Sequence, residues 1–401
     1  MIVRHKAIRQ LNLGRRFRCA FFCISSPFMM ILGKVTLAKA LILDRASGWQ
    51  ALIRRSTPLA ICLWLLVHGQ LGHAGPPTLG FMRLPQPGGG LVTVFYPSSD
   101  PELPAVQGPF RFSWAANGRV LKGNGHLVVI SHGSGGSPWV HVDLARVLVE
   151  RGFTVALPQH AGDNYLDPSE PGPESWIKRP SEVSRAIDVV AGSRQLGATL
   201  GFESVGLFGG SAGGHAALTM AGGKWSKRRF RDHCEAHIRE DFSSCVGFFT
   251  LLKGNWLDGP KLWLAKFVIA ARFSDDTVQA GFDPRIKSVV AMVPFAADFD
   301  PASLMQPVTS LGLVIAERDI NQIPRFHAEA VLAACEPRCE VVMRLPEAGH
   351  GAMLAPTPPL ELGSVAHHLL SDPANFDRGL LVPQLNSRIA DFFLRTLAVG
   401  S

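Results

Sequence analysis

Residues 205–215, with the sequence VGLFGGSAGGH, decide the fold expected for this chain. The mostly apolar residues 204–208 predict a β-strand, and residues 216–221 (AALTMA) predict a helix. The turn between them carries the pattern Gly-x-Ser-x-Gly around Ser211, which places a serine on a sharp strand-to-helix turn. The stretch therefore predicts a serine presented at the end of a buried strand.

Two glycines frame this serine. Gly209 lies two positions before Ser211 and Gly213 two positions after it. On so sharp a turn a side chain at either position would collide with the strand or the helix, so glycine is required there. A flexible glycine loop is the alternative interpretation. The strand before the motif and the helix after it favour a nucleophilic serine instead.

Apolar segments alternate with amphipathic ones on both sides of the turn, which is typical of parallel βαβ units. Residues 97–126 are expected to be rich in loops, and residues 222–285 form a mostly helical insertion. One predicted helix begins at the capping residue Ser181. The predicted strands are residues 91–96, 127–131, 154–157, 288–293, 311–316 and 340–345, and the predicted helices are residues 139–151, 181–195, 324–334 and 382–397.

A general base is expected late in the chain, because folds with this serine motif supply serine, acid and histidine in that order. His350 follows the predicted strand 340–345 and satisfies the order. His215 lies one turn after Ser211 and is expected to pack beneath it. The pair His367 and His368 does not follow a strand. His350 is therefore the predicted base.

Asp319 is the predicted acid, because it follows the strand 311–316 and precedes His350 by about thirty residues. A carboxylate at that strand end could reach the imidazole. Glu317 is an alternative, and so are Asp298 and Asp300 after the preceding strand. An acid that only caps the next helix is a further interpretation that the sequence leaves open.

The loop 130–137 (ISHGSGGS) follows another buried strand and is expected to direct a backbone N–H towards developing negative charge. We predict an oxyanion hole formed by the N–H groups of Ser134 and of Ala212, the residue after the nucleophile. His132 is expected to orient this loop. The glycine spacing does not match a dinucleotide-binding loop.

From about residue 91 to its end, the chain resembles the branch of the α/β-hydrolase superfamily that contains predicted dienelactone hydrolases and esterases similar to platelet-activating-factor acetylhydrolase. The resemblance rests on the segments YPSS, VVISHGSGGS, RGFTVALPQHAGDN, GGSAGG, AERD and EAGHGAML. It implies an α/β-hydrolase fold, with a mostly parallel eight-stranded sheet flanked by helices, and ester hydrolysis without a cofactor. Dienelactone hydrolases proper have a cysteine nucleophile, whereas this chain has Ser211.

These features predict a serine esterase that acts on a small-molecule ester, with the aromatic-rich insertion 222–285 as a cap over the site. Apolar acyl chains or aromatic esters would suit such a site, although some of the aromatic residues are expected to fill the core of the cap. A serine peptidase on the same fold is an alternative. A binding protein that keeps the fold without catalysis is another, but the complete set of serine, acid and histidine argues against it.

The basic charge is concentrated in an N-terminal leader, residues 1–74. The chain has a formal net charge of +8, but residues 1–74 contain eleven lysines and arginines and one acid, which leaves 29 basic and 31 acidic residues. A nucleic-acid partner is therefore not expected. Residues 54–55 (RR), the apolar run 58–67 and the small-x-small site 72–74 predict a secretory signal peptide.

Residues 1–53 fit a signal peptide poorly, which suggests a start codon assigned too early, with Met29 or Met30 as the true start. An uncleaved membrane anchor is the alternative. The run 58–67 is shorter than the roughly 20 residues that span a bilayer, so no stable membrane insertion is expected after cleavage. Residues 75–401 would then form one hydrolase domain in the periplasm or outside the cell.

Four cysteines remain beyond the leader, an even number that suits an oxidising compartment. Pairing Cys234 with Cys245 and Cys335 with Cys339 is the simplest of the three possible connectivities. A zinc site is the alternative, but it would be expected to carry Cys-x2-Cys pairs, which are missing here. Two local disulfides are therefore predicted.

We predict that the exported protein begins near Gly75 and contains no free thiol, because signal peptidase cleaves after small residues and export favours disulfides. Intact-mass measurement of secreted or periplasmic protein, alkylated without reduction, would test both points. An intact leader, or four alkylated cysteines, would contradict the prediction of export.

Overall fold

The computed structural model describes residues 76–398 of the chain. The predicted leader, with its signal peptide, candidate start codons and three cysteines, lies outside the described residues. The α/β class predicted from the alternation of segments is confirmed, because helices flank a single ten-stranded, mostly parallel sheet.

The sheet has the order β10-β9-β8-β7-β5-β6-β2-β1-β4-β3. Its strands are β1 (Thr78–Pro85), β2 (Leu91–Ser98), β3 (Leu103–Gln107), β4 (Phe110–Ala116), β5 (His126–Ser131), β6 (Thr154–Pro158), β7 (Gly201–Gly210), β8 (Ile286–Met292), β9 (Ser310–Ala316) and β10 (Cys339–Leu345). The neighbours from β6 through β5, β7, β8 and β9 to β10 run parallel. β2 joins β6 antiparallel, and β1 joins β2 antiparallel.

The helices are α1 (Val142–Glu150), α2 (Pro173–Ala191), α3 (Ala212–Met220), α4 (Lys227–His237), α5 (Phe242–Val246), α6 (Asp258–Arg272), α7 (Pro301–Leu304), α8 (Ala328–Cys335), α9 (Val365–Leu370) and α10 (Arg378–Leu397). α1 and α10 pack on one face of the sheet, and α2, α3 and α8 pack on the other. Because both faces are covered, the central strands are continuous apolar runs, such as LVVI in β5.

The sheet has more strands than the eight expected. The difference is the hairpin of β3 and β4, which pairs antiparallel within itself and joins the edge of the sheet beside β1. It lies in the segment expected to be loop-rich. β3 exposes most of its residues to solvent, and Arg111 and Ser113 interrupt the apolar residues of β4, so neither gives the apolar run by which seven of the other strands were recognised. β1 was not predicted from the sequence either.

Helix α2 also differs from the prediction. It begins at Pro173, with Ser181 in its middle, and the Ser181 hydroxyl donates to the Lys178 carbonyl instead of capping an N-terminus. Pro180 lies inside the helix. Because proline usually marks a helix boundary, the sequence pattern placed the start of this helix too late. The longer helix matters because its first half carries a buried arginine that contacts the site.

The segment between α3 and β8 contains the helices α4, α5 and α6. A disulfide between Cys234 and Cys245 joins α4 to α5, and a second between Cys335 and Cys339 joins the end of α8 to the start of β10. Both predicted pairings are present. Within residues 76–398, no helix is long and apolar enough to cross a membrane.

Candidate active site

Ser211 lies on the turn between β7 and α3, with φ 55° and ψ −117°. This left-handed conformation is rare for a residue with a side chain and is a form of backbone strain found at functional sites. The flanking glycines make the turn possible. A Cβ at Gly209 would lie 2.0 Å from the Gly213 carbonyl oxygen, and one at Gly213 would lie 1.9 Å from the Ser131 carbonyl oxygen.

The structure brings the three predicted catalytic residues together at the carboxyl ends of β7, β9 and β10. His350 Nε2 lies 3.0 Å from Ser211 Oγ, and His350 Nδ1 lies 2.6 Å from Asp319 Oδ2. A carboxylate can only accept, so Nδ1 carries the proton and Nε2 is left to accept from the serine hydroxyl. All three side chains are buried. The arrangement can remove a proton from Ser211.

The second oxygen of Asp319 is also fixed. Asp319 Oδ1 accepts from the backbone N–H groups of Asn321 and Gln322, at 2.8 Å each. Asp319 therefore caps the turn that follows β9 and contacts His350 with its other oxygen. This geometry is consistent with both interpretations of Asp319, as a cap of the next turn and as the partner of the histidine.

The alternative acids contact other groups. Asp298 Oδ2 lies 3.1 Å from the Nε2 of His215, which is one of the alternative candidate bases. The ring of His215 stacks on a tryptophan. Asp300 caps α7 by accepting from the Ala302 N–H. Glu317 pairs with Arg344 at the surface. None of these three acids has a hydrogen bond to His350 among the described contacts.

The loop after β5 lies against the serine. A Cβ placed at Gly133 would be 3.4 Å from the Ser211 Cβ, which puts the next amide, that of Ser134, beside the turn. Across residues 76–398, the backbone N–H groups of Ser134 and Ala212 donate to no protein acceptor. Both amides remain available for an oxygen bound at Ser211. The Ser134 hydroxyl itself points away and donates to Asp163.

A buried ion pair, which the sequence analysis missed, holds this loop. Arg179 from α2 donates to Asp163 Oδ2 at 2.9 Å and to the His132 carbonyl, and both charged side chains are inaccessible to solvent. Asp163 Oδ1 accepts from the Ser134 hydroxyl at 2.6 Å and from the Gly135 N–H at 2.8 Å. Burial alone would raise the pKa of Asp163, but the Arg179 charge and these hydrogen bonds outweigh it and hold the pKa below its usual value.

A second buried chain of hydrogen bonds supports the same loop. His160 Nδ1 donates to Glu182 at 2.6 Å, and its Nε2 accepts from the Ser131 hydroxyl at 2.8 Å. Burial, followed by the nearby Arg179 charge, lowers the pKa of His160 well below its usual value. His132 donates from Nδ1 to the Gly133 carbonyl, as expected for a residue that orients the loop.

Only a local signal could have suggested these residues. The segment QHAGDN, which contains His160 and Asp163, follows a strand directly, and polar residues at strand ends of parallel sheets meet at one edge. Their partners Arg179 and Glu182 lie on a helix whose start was misplaced. Neither spacing nor periodicity links the two segments, because the contacts arise only when α2 packs on the sheet.

Ser211 and His350 open into a cavity of about 430 Å³. Its walls come from the tip of the β3–β4 hairpin, the loop after β5, the insertion between α3 and β8, and the residues after β10. The lining is mainly apolar and includes Phe110, Trp139, Val140, Phe248, Met353 and Leu354. Such a wall favours an apolar group beside the serine.

Within the described residues, no group of three or more histidine, cysteine or acidic side chains is arranged to hold a metal ion. A scan of the chain against protein-family models found no match, and a search of curated proteins found none either. The interpretation of the site therefore rests on its own geometry.

We predict that Asp163→Ala lowers the free energy of unfolding by about 3–5 kcal/mol, because it leaves Arg179 buried without a counter-charge. Urea denaturation would measure the loss. The matched control is Glu170→Ala, which removes an exposed ion pair with Lys178 and should cost less than about 1 kcal/mol. Arg179→Met in the Asp163→Ala background should recover part of the stability. Equal effects of Asp163→Ala and Glu170→Ala would contradict the role of the ion pair.

Proposed function

We propose that the chain is a serine hydrolase of the α/β-hydrolase superfamily that cleaves carboxylic esters through an acyl-enzyme intermediate. One observation carries the proposal: the continuous hydrogen-bonded chain from Ser211 Oγ through His350 to Asp319, at 3.0 Å and 2.6 Å. These residues occur in the order serine, acid and histidine, and each follows a strand of the parallel part of the sheet.

The architecture supports the proposed superfamily. Without the β3–β4 hairpin the sheet has eight strands, the number that the resemblance implies. Ser211 has the strained conformation expected of a nucleophile on a strand-to-helix turn. The resemblance to dienelactone hydrolases and to esterases similar to platelet-activating-factor acetylhydrolase agrees with this turn, with serine as the nucleophile in place of cysteine.

In the proposed reaction, His350 Nε2 accepts the proton of Ser211 as the serine oxygen attacks the ester carbonyl carbon. The carbonyl oxygen becomes an oxyanion within reach of the N–H groups of Ala212 and Ser134. Asp319 stabilises the imidazolium. His350 then gives its proton to the departing alcohol oxygen, and the acyl group stays on Ser211. Water then attacks the acyl carbon as His350 takes one of its protons, and His350 returns that proton to Ser211 Oγ as the acyl–serine bond breaks and the acid leaves.

The size and lining of the cavity favour an ester with a small apolar or aromatic acyl group as the substrate. Its volume of about 430 Å³ is at the lower end of the range for small-molecule sites, and its walls are mainly apolar. Phe248, from the helical segment after α3, is one wall, which agrees with a cap formed by residues 222–285. A peptidase would use the same machinery, so p-nitrophenyl esters should be compared with peptide anilides.

We also propose that the enzyme works outside the cytoplasm. Two disulfides are present, and such bonds persist in oxidising compartments. Together with the signal peptide predicted in residues 1–74, they support a periplasmic or secreted enzyme.

Ser211→Ala should abolish labelling by a fluorophosphonate probe and lower kcat by about 10⁴- to 10⁶-fold, because the nucleophile is lost. Gel fluorescence and hydrolysis of p-nitrophenyl butyrate would measure these effects. Ser169→Ala removes an exposed hydroxyl away from the cavity and should leave both signals unchanged. Turnover by the Ser211→Ala variant at a rate near that of the parent would refute the proposed nucleophile.

Asp319→Asn should keep the fold and lower kcat by about 10⁴-fold, because the amide favours the wrong tautomer of His350. The remaining amide oxygen can still accept from the turn after β9. Glu317→Gln is the matched control, and Asp298→Asn and Asp300→Asn test the other candidate acids. All three should cost far less, as steady-state kinetics and circular dichroism would show. The assignment fails if Asp319→Asn stays within about tenfold of the parent while one of the other variants collapses.

A further inference from the structure

Helix α6 presents a second apolar face that no described part of the chain covers. Its inner face packs through Leu262 and Ile269, which are buried. On the outer face, Trp263 is 69% exposed and Phe267 is 62% exposed, and their rings stack with centroids 5.8 Å apart. Leu264 and Val268 lie on the same side and are also exposed. This face is apolar where a surface helix normally carries polar residues.

Two further exposed aromatic residues precede the helix in the chain. Trp256, just before α6, is 81% exposed, and Phe249 is 84% exposed. Phe249 directly follows Phe248, which lines the cavity wall. Large exposed apolar patches on a protein mark binding surfaces, whereas single exposed residues do not. We define the α6 surface as Trp263, Leu264, Phe267 and Val268, which lie on one side of the helix.

Basic residues flank this surface. Lys253, Lys266 and Arg272 are exposed, and within residues 76–398 none of them forms an ion pair with an acid. Asp258 is the only acid between residues 249 and 272, and its carboxylate caps the turn by accepting from the Lys253 and Gly254 N–H groups. Basic residues therefore outnumber acidic ones by four to one between residues 249 and 272.

We propose that the α6 surface docks the protein on an anionic lipid bilayer. Tryptophan and phenylalanine on one face with lysine and arginine beside them are the composition of helices that lie in the membrane interface. α6 has 15 residues, fewer than the roughly 20 needed to span the hydrocarbon core, so it lies on the bilayer. The apolar side chains enter the acyl boundary, and the basic residues contact lipid phosphates.

Docking would place the insertion between α3 and β8, which also supplies Phe248 to the cavity wall, at the lipid surface. It goes beyond the proposed ester hydrolysis and does not require the chemistry of Ser211. The two proposals can therefore fail separately.

The test is flotation of the secreted protein with vesicles, after mass spectrometry has shown that the apolar leader is absent. Vesicles of phosphatidylcholine mixed with phosphatidylglycerol are compared with vesicles of phosphatidylcholine alone. The parent should float with the anionic vesicles, more weakly at high salt. Trp263→Gln/Phe267→Gln should lower the partition coefficient about tenfold or more, since two buried aromatic contacts are lost.

Three further variants complete the test. Lys253→Gln/Lys266→Gln should weaken binding to anionic vesicles by about tenfold or more and remove most of its salt dependence, at roughly 1 kcal/mol for each lysine. Leu380→Gln removes an exposed leucine from α10, on the opposite face of the sheet, and should float like the parent. Ser211→Ala should float like the parent as well. Circular dichroism melting checks that each variant is folded.

The proposal is overturned if the parent does not float with anionic vesicles, or if Trp263→Gln/Phe267→Gln floats equally well. It is also overturned if the parent sediments as a dimer that this double variant converts to monomers. The α6 surface would then be an interface between two copies of the chain.

Discussion

The candidate active site depends on a contact between two stretches of backbone. The turn after β7 approaches the end of β5 so closely that a methyl group on Gly213 would lie 1.9 Å from the Ser131 carbonyl oxygen. This contact brings the loop with Ser134 beside Ser211, and the hydrogen bond from the Ser211 N–H to the Met292 carbonyl, at 3.1 Å, fixes the turn on its other side. Because the strain at Ser211 is held by backbone on both sides, the serine does not relax into an ordinary turn.

The sequence predicted those parts of the site whose position follows from strand ends. Ser211, Asp319 and His350 each follow an apolar strand, and the chain order assigns their roles. By contrast, the loop after β5 is held by an ion pair between Arg179 on α2 and Asp163 after β6. No periodicity in the sequence indicates this contact. The β3–β4 hairpin was missed for a different reason: Gly108 and Pro109 mark a turn, but β3 is largely exposed and polar residues interrupt β4, so neither gives an apolar run.

The insertion after α3 is tied to the acid of the site. The Ser244 hydroxyl on α5 donates to the carbonyl of Asn321, at 2.7 Å, and the Asn321 N–H in turn donates to Asp319. Nearby, Asp241 contacts two histidines, His233 on α4 and His327 before α8. Hydrogen bonds from these side chains hold the Asp241 pKa far below its usual value, although burial alone would raise it. A displacement of the insertion would therefore also shift the Asp319 carboxylate, which accepts from His350.

The walls of the cavity and the residues at its base come from different parts of the chain. The hairpin tip at Gln107–Phe110 and the residues around Phe248 shape the space, while the turns after β7, β9 and β10 hold Ser211, Asp319 and His350. Loops at the surface tolerate insertion and deletion far better than backbone that packs as closely as Gly213. Descendants of this gene could therefore reshape the cavity by changing the length of the hairpin, without a single substitution at Ser211, Asp319 or His350.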